Sequence, residues 1–441
     1  MTNTVNTRGL ILDILLAVTR DGEFLNQVLK NVLDKYAYLD KRDRSFISRV
    51  CRGCVERMPE LDGILNRFSK VPVRKMKPVI HCILLSALYQ MLYMDSVPNR
   101  SAVDEAVKLA NKRGFSSLRG FVNGVLRSID REKETISYPD PSNFSDYMEK
   151  KYSILPWMTQ LWLSSMTKQE VEELGRTFLT EGPTCVRVMT DKISPAELKN
   201  QLEQEGIQVL LHDEREDVMY LSGYDSLPSI KAFQKGLFYV QDPSSMEVAN
   251  AIDPKAGEIG MDVCSAPGGK AIHAAMLMAM QEKNGTDKGT IYARDLTPAK
   301  VSLIEENIKR TGMTNIEVAC HDATILDENM VEKADFVIAD LPCSGLGVLR
   351  KKPDIKYHTS LENVQELAKL QQEMLNVVCR YVKPGGRMIY STCTINRIEN
   401  EENTDQFLKK HGDFRLEKQV QILPQGGRQD GFYYALLKKG E

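Results

Sequence analysis

Short apolar segments of strand length alternate with helical segments from Gly257 to the end of the chain, and this alternation restricts the fold more than any other feature. The predicted strands are 259–264, 290–294, 316–319, 336–339 and 387–391, with a late strand at 433–437. Predicted helices occupy 271–281, 298–310 and 361–381. Because a strand, a helix and the next strand form a parallel unit, the pattern predicts a Rossmann-like α/β domain built on a parallel sheet.

The front of the chain shows helical periodicity and no strand-like alternation. Apolar residues recur at spacings of three and four in 10–18, 25–33, 46–55, 61–68, 79–94, 103–109 and 118–129. The longest apolar stretch, 79–94, contains His81 and Gln90 and falls short of the roughly 20 residues that span a bilayer. We predict an all-α bundle in which 79–94 is a buried helix, and no membrane span.

Polar sequence separates this bundle from the rest of the chain. Residues 132–145 include Pro139 and Pro141, which favour an extended connector. Strands predicted at 184–188, near 209 and at 219–221, with a helix at 196–205, indicate a small α+β unit. The predicted domains are an all-α domain at 1–133, a linker and helical connector at 134–170, the small α+β domain at 171–236 and the α/β domain at 237–441.

Composition and charge narrow the class of protein. With 441 residues, 42% hydrophobic and 27% charged, the chain is expected to be globular with more than one domain. The net charge is -2, but residues 1–131 carry 22 Lys and Arg against 13 Asp and Glu, which gives +9 there and -11 elsewhere. A basic region of this kind suits contact with phosphates, although solvated helix faces are often as charged.

The nine cysteines are an odd number without the spacing of a disulfide framework. Together with the lack of a leader-like opening, they predict free thiols in a reducing cytoplasm. Cys51 and Cys54 have the spacing of a redox or zinc pair, but His81 is their nearest histidine and there is no second pair. We interpret both as core thiols and expect no metal.

A glycine pair lies between the first strand of the α/β domain and its helix. The loop reads Asp262-Val263-Cys264-Ser265-Ala266-Pro267-Gly268-Gly269-Lys270. Paired glycines let the backbone approach a ligand at the carboxyl edge of a doubly wound sheet. A phosphate loop needs Ser or Thr where Ala271 stands, and the Gly-x-Gly-x-x-Gly loop of a nicotinamide dehydrogenase is absent at 265–270. Both of these functions are therefore disfavoured.

Acidic residues and cysteines follow the other strands. Asp295 closes the second strand, where a carboxylate can accept from ribose hydroxyls, and Asp322 follows the third, where one can accept from an adenine amino group. Asp340 closes the fourth. Cys343 and Cys393 each come just after a strand on the same sheet edge, where a thiolate could act as a nucleophile. The set predicts a nucleoside site with nucleophilic chemistry beside it.

These motifs, in this order, resemble the cytosine carbon-5 RNA methyltransferases of the Sun/Nop2 type. The resemblance rests on the loop at 262–270, on Asp340-Leu341-Pro342-Cys343-Ser344-Gly345, on Thr392-Cys393 and on Asp430-Gly431-Phe432-Tyr433-Tyr434-Ala435. The helical front is similar to the antitermination factor NusB. Ser265 and Ala271 stand where the family often has Ala and Thr, and neither removes a group that the chemistry needs.

The resemblance implies S-adenosylmethionine as cofactor and a covalent cysteine–cytosine intermediate. It makes Cys393 the nucleophile that attacks carbon 6, Cys343 the residue that assists release, and Asp340 a contact of the base that also borders the cofactor. The implied cofactor residues are Cys264, Ser265, Ala266, Pro267, Gly268, Gly269, Lys270, Asp295, Asp322 and Asp340. For Lys270, contact with RNA and an effect on a thiol pKa remain alternatives.

The implied substrate is 16S rRNA, bound by a chain that we expect to be a monomer. Candidate RNA contacts are Arg42, Arg44, Arg49, Arg52 and Arg57 in the front and, with more weight, Arg350, Lys351 and Lys352. The same chemistry on tRNA or another rRNA site remains open. So does a non-catalytic RNA-binding or antitermination-like module, although the presence of both Cys343 and Cys393 argues against it.

Overall fold

The computed structural model of the protein describes residues 5–282 and 288–441. Its α-helices in these ranges are α1 Thr7–Thr19, α2 Leu25–Lys35, α3 Lys41–Glu56, α4 Met58–Phe68, α5 Pro78–Tyr93, α6 Asn99–Lys112, α7 Arg119–Glu132, α8 Phe144–Tyr152, α9 Pro156–Leu163, α10 Lys168–Phe178, α11 Pro195–Gln204, α12 Lys231–Gln234, α13 Pro243–Ile252, α14 Gly269–Gln281, α15 Pro298–Thr311, α16 Ile355–His358, α17 Leu361–Val378 and α18 Glu401–Lys410. The strands are β1 Thr184–Val188, β2 Gln208–Leu211, β3 Val218–Ser222, β4 Phe238–Val240, β5 Ile259–Asp262, β6 Thr290–Asp295, β7 Ile316–Cys320, β8 Ala334–Asp340, β9 Val382–Thr392, β10 Phe414–Ile422 and β11 Phe432–Lys439.

The contacts divide the chain into two units. The helical unit contains the described residues up to Leu179 together with Leu349–Ser360, and the sheet unit contains Thr180–Val348 and Leu361–Glu441. The helical unit thus takes a short segment from the second half of the sequence. The finer division into four domains stays a prediction.

Helices α1 to α7 lie on the seven segments that periodicity predicts. Local chemistry sets their starts: the Asn6 side chain accepts from the Gly9 N–H, Asp40 accepts from the Asp43 N–H, and Pro78 begins α5. Residues buried on nearly every side of α5 put it inside the bundle, as predicted. None of the helices in the described part of the chain combines the length and the apolar character that a bilayer span requires.

The segment Leu349–Ser360 is held in the helical unit by polar contacts. Oδ2 of Asp354 accepts from the Leu25 N–H at 2.8 Å and so caps α2. Nζ of Lys356 donates to the carbonyl oxygens of Glu56 at 2.6 Å and Ser153 at 2.9 Å. Each of these contacts satisfies a backbone group that burial would otherwise leave unpaired.

The sheet unit contains two sheets. The smaller is antiparallel with the order β2-β3-β1-β4, and the larger has the order β10-β11-β9-β8-β5-β6-β7. Pairing from β9 through β8, β5 and β6 to β7 is parallel, whereas β11 pairs antiparallel with β9 and β10. This confirms the predicted Rossmann-like fold, and the carboxyl ends of five parallel strands therefore share one edge.

Candidate active site

The side chains predicted from the sequence meet at this carboxyl edge. β5 ends at Asp262, β6 at Asp295 and β8 at Asp340, while Asp322 follows β7 and Cys393 follows β9. β5 lies between β8 and β6, so the chain continues to one side of β5 and returns to the other. In open α/β sheets such a switch point opens the crevice that binds ligands.

The glycine loop connects β5 to the N-terminus of α14. Gly268 has a φ of +103°, which a side chain would strain, and its N–H donates to the Ser265 carbonyl at 2.6 Å. A Cβ on Gly269 would lie 3.0 Å from Cε1 of Tyr239, whose hydroxyl donates to the Pro267 carbonyl at 3.0 Å. Both glycines therefore allow the loop to pack closely, and the backbone of the loop can approach a ligand at the carboxyl edge of the sheet.

Asp295, the predicted ribose ligand, ties this loop to β6. Its Oδ2 accepts from the Ala266 N–H at 2.9 Å, and its Oδ1 accepts from the Leu296 N–H at 2.8 Å. Nζ of Lys300 lies 2.9 Å from Oδ1. Because a carboxylate offers about four acceptor positions, these contacts leave room for a ligand hydroxyl.

Asp322, the predicted adenine contact, is fixed through one oxygen. Oδ1 accepts from the backbone N–H of Thr324 at 2.9 Å and from its hydroxyl at 2.7 Å. These hydrogen bonds, the backbone one first, lower the pKa of Asp322, so its carboxyl is ionised at neutral pH. The contacts hold the side chain in place while leaving it able to accept from a ligand.

Lys270 pairs with Asp340, an arrangement that the sequence left undecided. Nζ of Lys270 lies 2.6 Å from Oδ2 of Asp340, and the Ser391 hydroxyl donates to Oδ1 at 2.7 Å. Burial works against the charged ammonium, but the Asp340 carboxylate outweighs it, so the pKa of Lys270 is raised. The ammonium also lies 5.3 Å from the centroid of the Phe432 ring. Asp340 is therefore an acceptor whose orientation is fixed by two neighbours.

Asp262 is a further acidic residue that the sequence prediction did not assign to the site. It is 1% exposed, and neither of its carboxyl oxygens accepts a hydrogen bond of good geometry within the described residues, although the Ser265 hydroxyl and the Cys264 N–H lie near enough to oppose the rise of its pKa. Burial raises the pKa of Asp262 to about 7, while the Lys270 charge acts in the opposite direction. A buried carboxyl that the protein leaves unsatisfied is costly, so this one fits a site completed by a ligand.

Cys343 and Cys393 face each other across β8 and β9. Their Sγ atoms are 3.2 Å apart, and the Cys393 N–H donates to Sγ of Cys343 at 3.3 Å. The hydrogen bond with Cys393, and then burial, raise the pKa of Cys343, so it is a neutral thiol at rest. Both cysteines are partly accessible. Two thiols in contact beside the carboxyl edge of a parallel sheet can act on neighbouring atoms of one ligand.

The predicted RNA contacts belong to the helical unit. Arg42 is exposed on α3, whereas Arg44 donates to the Ala37 carbonyl at 2.9 Å and so also has a structural contact. Arg350, Lys351 and Lys352 belong to the segment held in the helical unit, where the Lys351 carbonyl accepts from Asn26 at 3.2 Å. Their assignment to RNA stays a prediction.

The remaining cysteines fit the interpretation of free thiols. Cys51 and Cys54 are fully buried in the core of the helical unit, as the sequence predicts. All nine cysteines are unpaired by disulfides. Within residues 5–282 and 288–441, no cluster of three or more His, Cys, Asp or Glu side chains could hold a metal ion.

Comparison with known proteins agrees with this architecture. The model of a family described as 16S rRNA methyltransferase RsmB/F matches residues 249–438, and that of the NusB family matches residues 5–131. The probable ribosomal RNA small subunit methyltransferase B of Bacillus subtilis (strain 168) is 35% identical over 456 residues, covering 98% of this chain and 99% of that protein. The ribosomal RNA small subunit methyltransferase B of Vibrio cholerae is 30% identical, covering 99% of this chain and 98% of that protein.

Solved structures support the fold. The crystal structure of PH0851 superimposes with a TM-score of 0.81 at 24% identity and covers 99% of both chains. That of NSun6 from Pyrococcus horikoshii with SFG, an analogue of S-adenosylmethionine, has a TM-score of 0.58 at 23% identity. It covers 65% of this chain and 98% of the other.

Proposed function

Because the chain belongs to the RsmB/F family of 16S rRNA methyltransferases, we propose that it methylates carbon 5 of a cytosine in 16S rRNA through a covalent bond from Cys393 to the base. The enzyme uses S-adenosylmethionine, which supplies the methyl group. The observation that carries the finer assignment is the 3.2 Å contact between the Cys343 and Cys393 sulfurs at the crevice.

The residues along the crevice fit S-adenosylmethionine. Asp295 can accept from the ribose hydroxyls, and Asp322 can accept from the adenine amino group. The backbone of 264–270 would surround the methionine part. Asp262 offers two unpaired oxygens close to the Lys270 and Asp340 pair, and such oxygens suit a ligand that carries positive charge.

Carbon 5 of cytosine is a poor nucleophile, because reaction there must break the conjugation of the ring. Addition of the Cys393 thiolate to carbon 6 makes carbon 5 electron-rich, so that it can take the methyl group. We assign Asp340, held by Lys270 and Ser391, to a contact with the base near ring nitrogen 3, where a proton held between the carboxyl group and that nitrogen neutralises the negative charge that attack at carbon 6 develops. These roles of Cys393 and Asp340 are consistent with their positions, since Cys393 follows β9 and Asp340 ends the neighbouring strand β8.

Release of the product needs the carbon-5 proton removed and the sulfur–carbon bond broken. At rest, the hydrogen bond with Cys393 is the main cause of the raised pKa of Cys343. When Cys393 is bonded to the base, that cause is absent, and Cys343 can ionise more easily than in the free enzyme. We assign Cys343 to this release, in which its thiolate accepts the proton as Cys393 leaves.

The target base must leave its stack to reach two cysteines in a crevice, which costs least in a loop or bulge of the RNA. The basic helical unit is the candidate for the grip on phosphates. The nine free thiols suit the reducing cytoplasm in which we propose that the enzyme acts. Methylation of tRNA or another rRNA site is the alternative, and a non-catalytic module is disfavoured because both cysteines are present and in contact.

The test is transfer of labelled methyl groups to unmodified 16S rRNA and, in parallel, to tRNA, followed by nucleoside analysis. We expect labelled 5-methylcytidine in 16S rRNA alone. Label in tRNA would keep the chemistry and change the substrate. Label in neither would favour an rRNA substrate that is methylated only in a ribosomal particle, or the non-catalytic module.

Two cysteine variants test the mechanism. Cys393→Ala should lose methyl transfer and keep cofactor binding, whereas Cys343→Ala should accumulate an RNA adduct that survives denaturation. Cys320→Ala is the matched control, because this cysteine is exposed at the end of β7 and should leave turnover unchanged. Normal turnover by Cys393→Ala would refute its role as nucleophile.

A further inference from the structure

A buried carboxyl group is connected by hydrogen bonds to the turn that carries Cys343 and to the loop that follows Cys393. Glu399 stands between β9 and α18, has 0% of its side chain exposed and was not singled out by the sequence. Its hydrogen bonds reach residues beside Cys343, and the network that they form continues to the residue after Cys393.

Four hydrogen bonds converge on this carboxylate. Oε1 accepts from the Ser344 N–H at 2.8 Å and from Nε2 of Gln371 at 3.0 Å. Oε2 accepts from Nδ2 of Asn396 at 2.5 Å and from the Ser344 hydroxyl. Burial raises the pKa of Glu399, and the bonds from Ser344 and Asn396 oppose that rise by favouring the charged form. A carboxylate is the one side chain here that can accept from four donors at once.

On the Cys343 side, this network holds the turn on both flanks of the cysteine. Ser344, which follows Cys343, donates to Glu399 through its backbone N–H and its hydroxyl. Pro342, which precedes Cys343, accepts from Nε2 of Gln371 at 2.8 Å, and that amide also donates to Glu399. The turn therefore has little freedom to move its sulfur.

On the Cys393 side, the same network reaches the next residue. The hydroxyls of Ser344 and Thr394 are 2.9 Å apart, and Nδ2 of Asn396 donates to Oγ1 of Thr394 at 2.9 Å. One carboxyl group thus joins the residue after Cys343 to the residues after Cys393. Stability alone is a weak reason for such a group, because well-packed apolar residues commonly serve a core as well as a buried charge does.

We propose that Glu399 is a positioning residue that holds the Cys343 turn against the Cys393 loop, so that Cys343 reaches the base when the adduct must be released. This inference rests on the proposed function. It predicts that loss of the carboxyl group slows release more than attack. Cys393 directly follows β9, whose pairing with β8 and β11 is kept, whereas the turn at Cys343 loses its anchor.

Glu399→Gln is the decisive variant, because it keeps the volume and brings an amide NH₂ against four donor groups, of which the Ser344 hydroxyl is the one that could turn to accept. We expect a turnover number lower by about 10- to 100-fold, in line with a misplacement of the order of 1 Å. The RNA adduct should accumulate as in Cys343→Ala, and the KM for S-adenosylmethionine should stay unchanged. Glu399→Asp keeps the charge and should recover part of the turnover.

Two further variants make the test specific. Glu402→Gln is the matched control, because Glu402 is an exposed residue in the first turn of α18. Ser344→Ala removes one hydroxyl donor and keeps the backbone bond, so it gives a milder perturbation if Glu399→Gln does not fold. It should shift the balance toward the adduct in the same direction.

The measurements are single-turnover methylation, adduct on denaturing gels, and the rate at which iodoacetamide alkylates Cys343 in the full-length enzyme without RNA, followed by peptide mass spectrometry. Faster alkylation of Cys343 with adduct accumulation supports the inference. Wild-type alkylation and release in folded Glu399→Gln, or in Ser344→Ala where the former does not fold, overturns it. If the wild type forms no 5-methylcytidine, the proposed function fails, and the alkylation rates alone decide whether Glu399 holds the turn.

Discussion

Replacing Asp262 with Asn should make the free enzyme more stable at high pH and lower its affinity for S-adenosylmethionine. The wild-type carboxyl is 1% exposed, lacks a hydrogen bond of good geometry within the described residues and has its pKa raised by burial to about 7. Above that pH the folded enzyme buries an unsatisfied charge, which Asn removes at almost the same volume. With S-adenosylmethionine bound, the same charge becomes favourable because the ligand is cationic.

The magnitude follows from the pKa. A folded-state value of about 7 against 3.8 means that the folded state binds the proton more tightly, so the contribution of Asp262 to stability is full below pH 3.8 and is lost as pH rises toward 7. At about 1.4 kcal/mol per pKa unit this loss is roughly 4 kcal/mol, and a buried amide without partners returns about 1–3 kcal/mol of it. We expect Asp262→Asn to be about 1–3 kcal/mol more stable at pH 8, an advantage that shrinks by about 2 kcal/mol at pH 5.5.

Hydrogen exchange of peptides from β5 and β8, read by mass spectrometry, gives the free energy of opening for the sheet unit within the intact chain. Titration calorimetry gives the affinity for S-adenosylmethionine, which should fall by about 10-fold or more, as expected for loss of a charged contact. A variant that is less stable by the same amount at both pH values, or that binds the cofactor as the wild type does, would refute the reasoning.

Three other perturbations test the rest of the molecule. Burial lowers the pKa of Lys356 to about 7 from 10.5, so between these pH values the unfolded state binds one more proton and the free energy of unfolding rises with pH. Lys356→Met should remove this rise in urea unfolding followed by the fluorescence of the two tryptophans, which are both in the helical unit, and an unchanged rise would contradict the argument. A Cβ on Gly347 would lie 2.3 Å from the Gly431 carbonyl oxygen, so Gly347→Ala should lower the free energy of unfolding by about 1–3 kcal/mol and slow turnover. A Cβ on Gly124 in α7 would have nothing within 4 Å, so Gly124→Ala should raise the free energy of unfolding by about 0.5–1 kcal/mol, measured by thermal unfolding. No acidic residue occurs from 63 to 94, and four of the exposed cations there are Lys70, Arg74, Lys75 and Lys77. Replacing these four with Gln should weaken RNA binding and reduce the slope of log K against log salt concentration by about 0.7–0.9 for each phosphate that is no longer neutralised, as measured by filter binding at several salt concentrations.

Elements with a clear period were predictable from the sequence, because the pattern itself reports which face is buried. The seven front helices and the parallel strands belong to this class. β10, Phe414–Ile422, was missed because it is an edge strand whose exposed face carries Arg, Glu and Lys, so no apolar run marks it. The place of Leu349–Ser360 was also missed, since Lys356 and Glu56 meet across 300 residues of sequence.

The candidate site was predictable as far as the topology reaches. Residues at strand ends must share an edge in a parallel sheet, which is why Asp295, Asp340, Cys343 and Cys393 could be grouped without coordinates. The partner of Lys270 could not be predicted from the sequence. Contact with the cofactor, contact with RNA and an effect on a thiol pKa differ only in where the ammonium group of the side chain lies. Glu399 gave no signal, since it lies in a polar run and its role depends on a turn 55 residues away.

The buried carboxylates of the site differ in what satisfies them, and this difference has a physical meaning. Asp340 has Lys270 and Ser391, and Glu399 has four donors, so the protein itself compensates both. Asp262 is about as deeply buried as Glu399 and more deeply than Asp340, and it has no hydrogen bond of comparable geometry among the residues that the structure describes. A protein that can pair two of these groups so fully gains nothing in stability by leaving the third unpaired, so the missing partner of Asp262 is best supplied by a ligand. The cofactor then restores to the site the compensation that the free enzyme lacks, which is why Asp262→Asn should separate stability from binding.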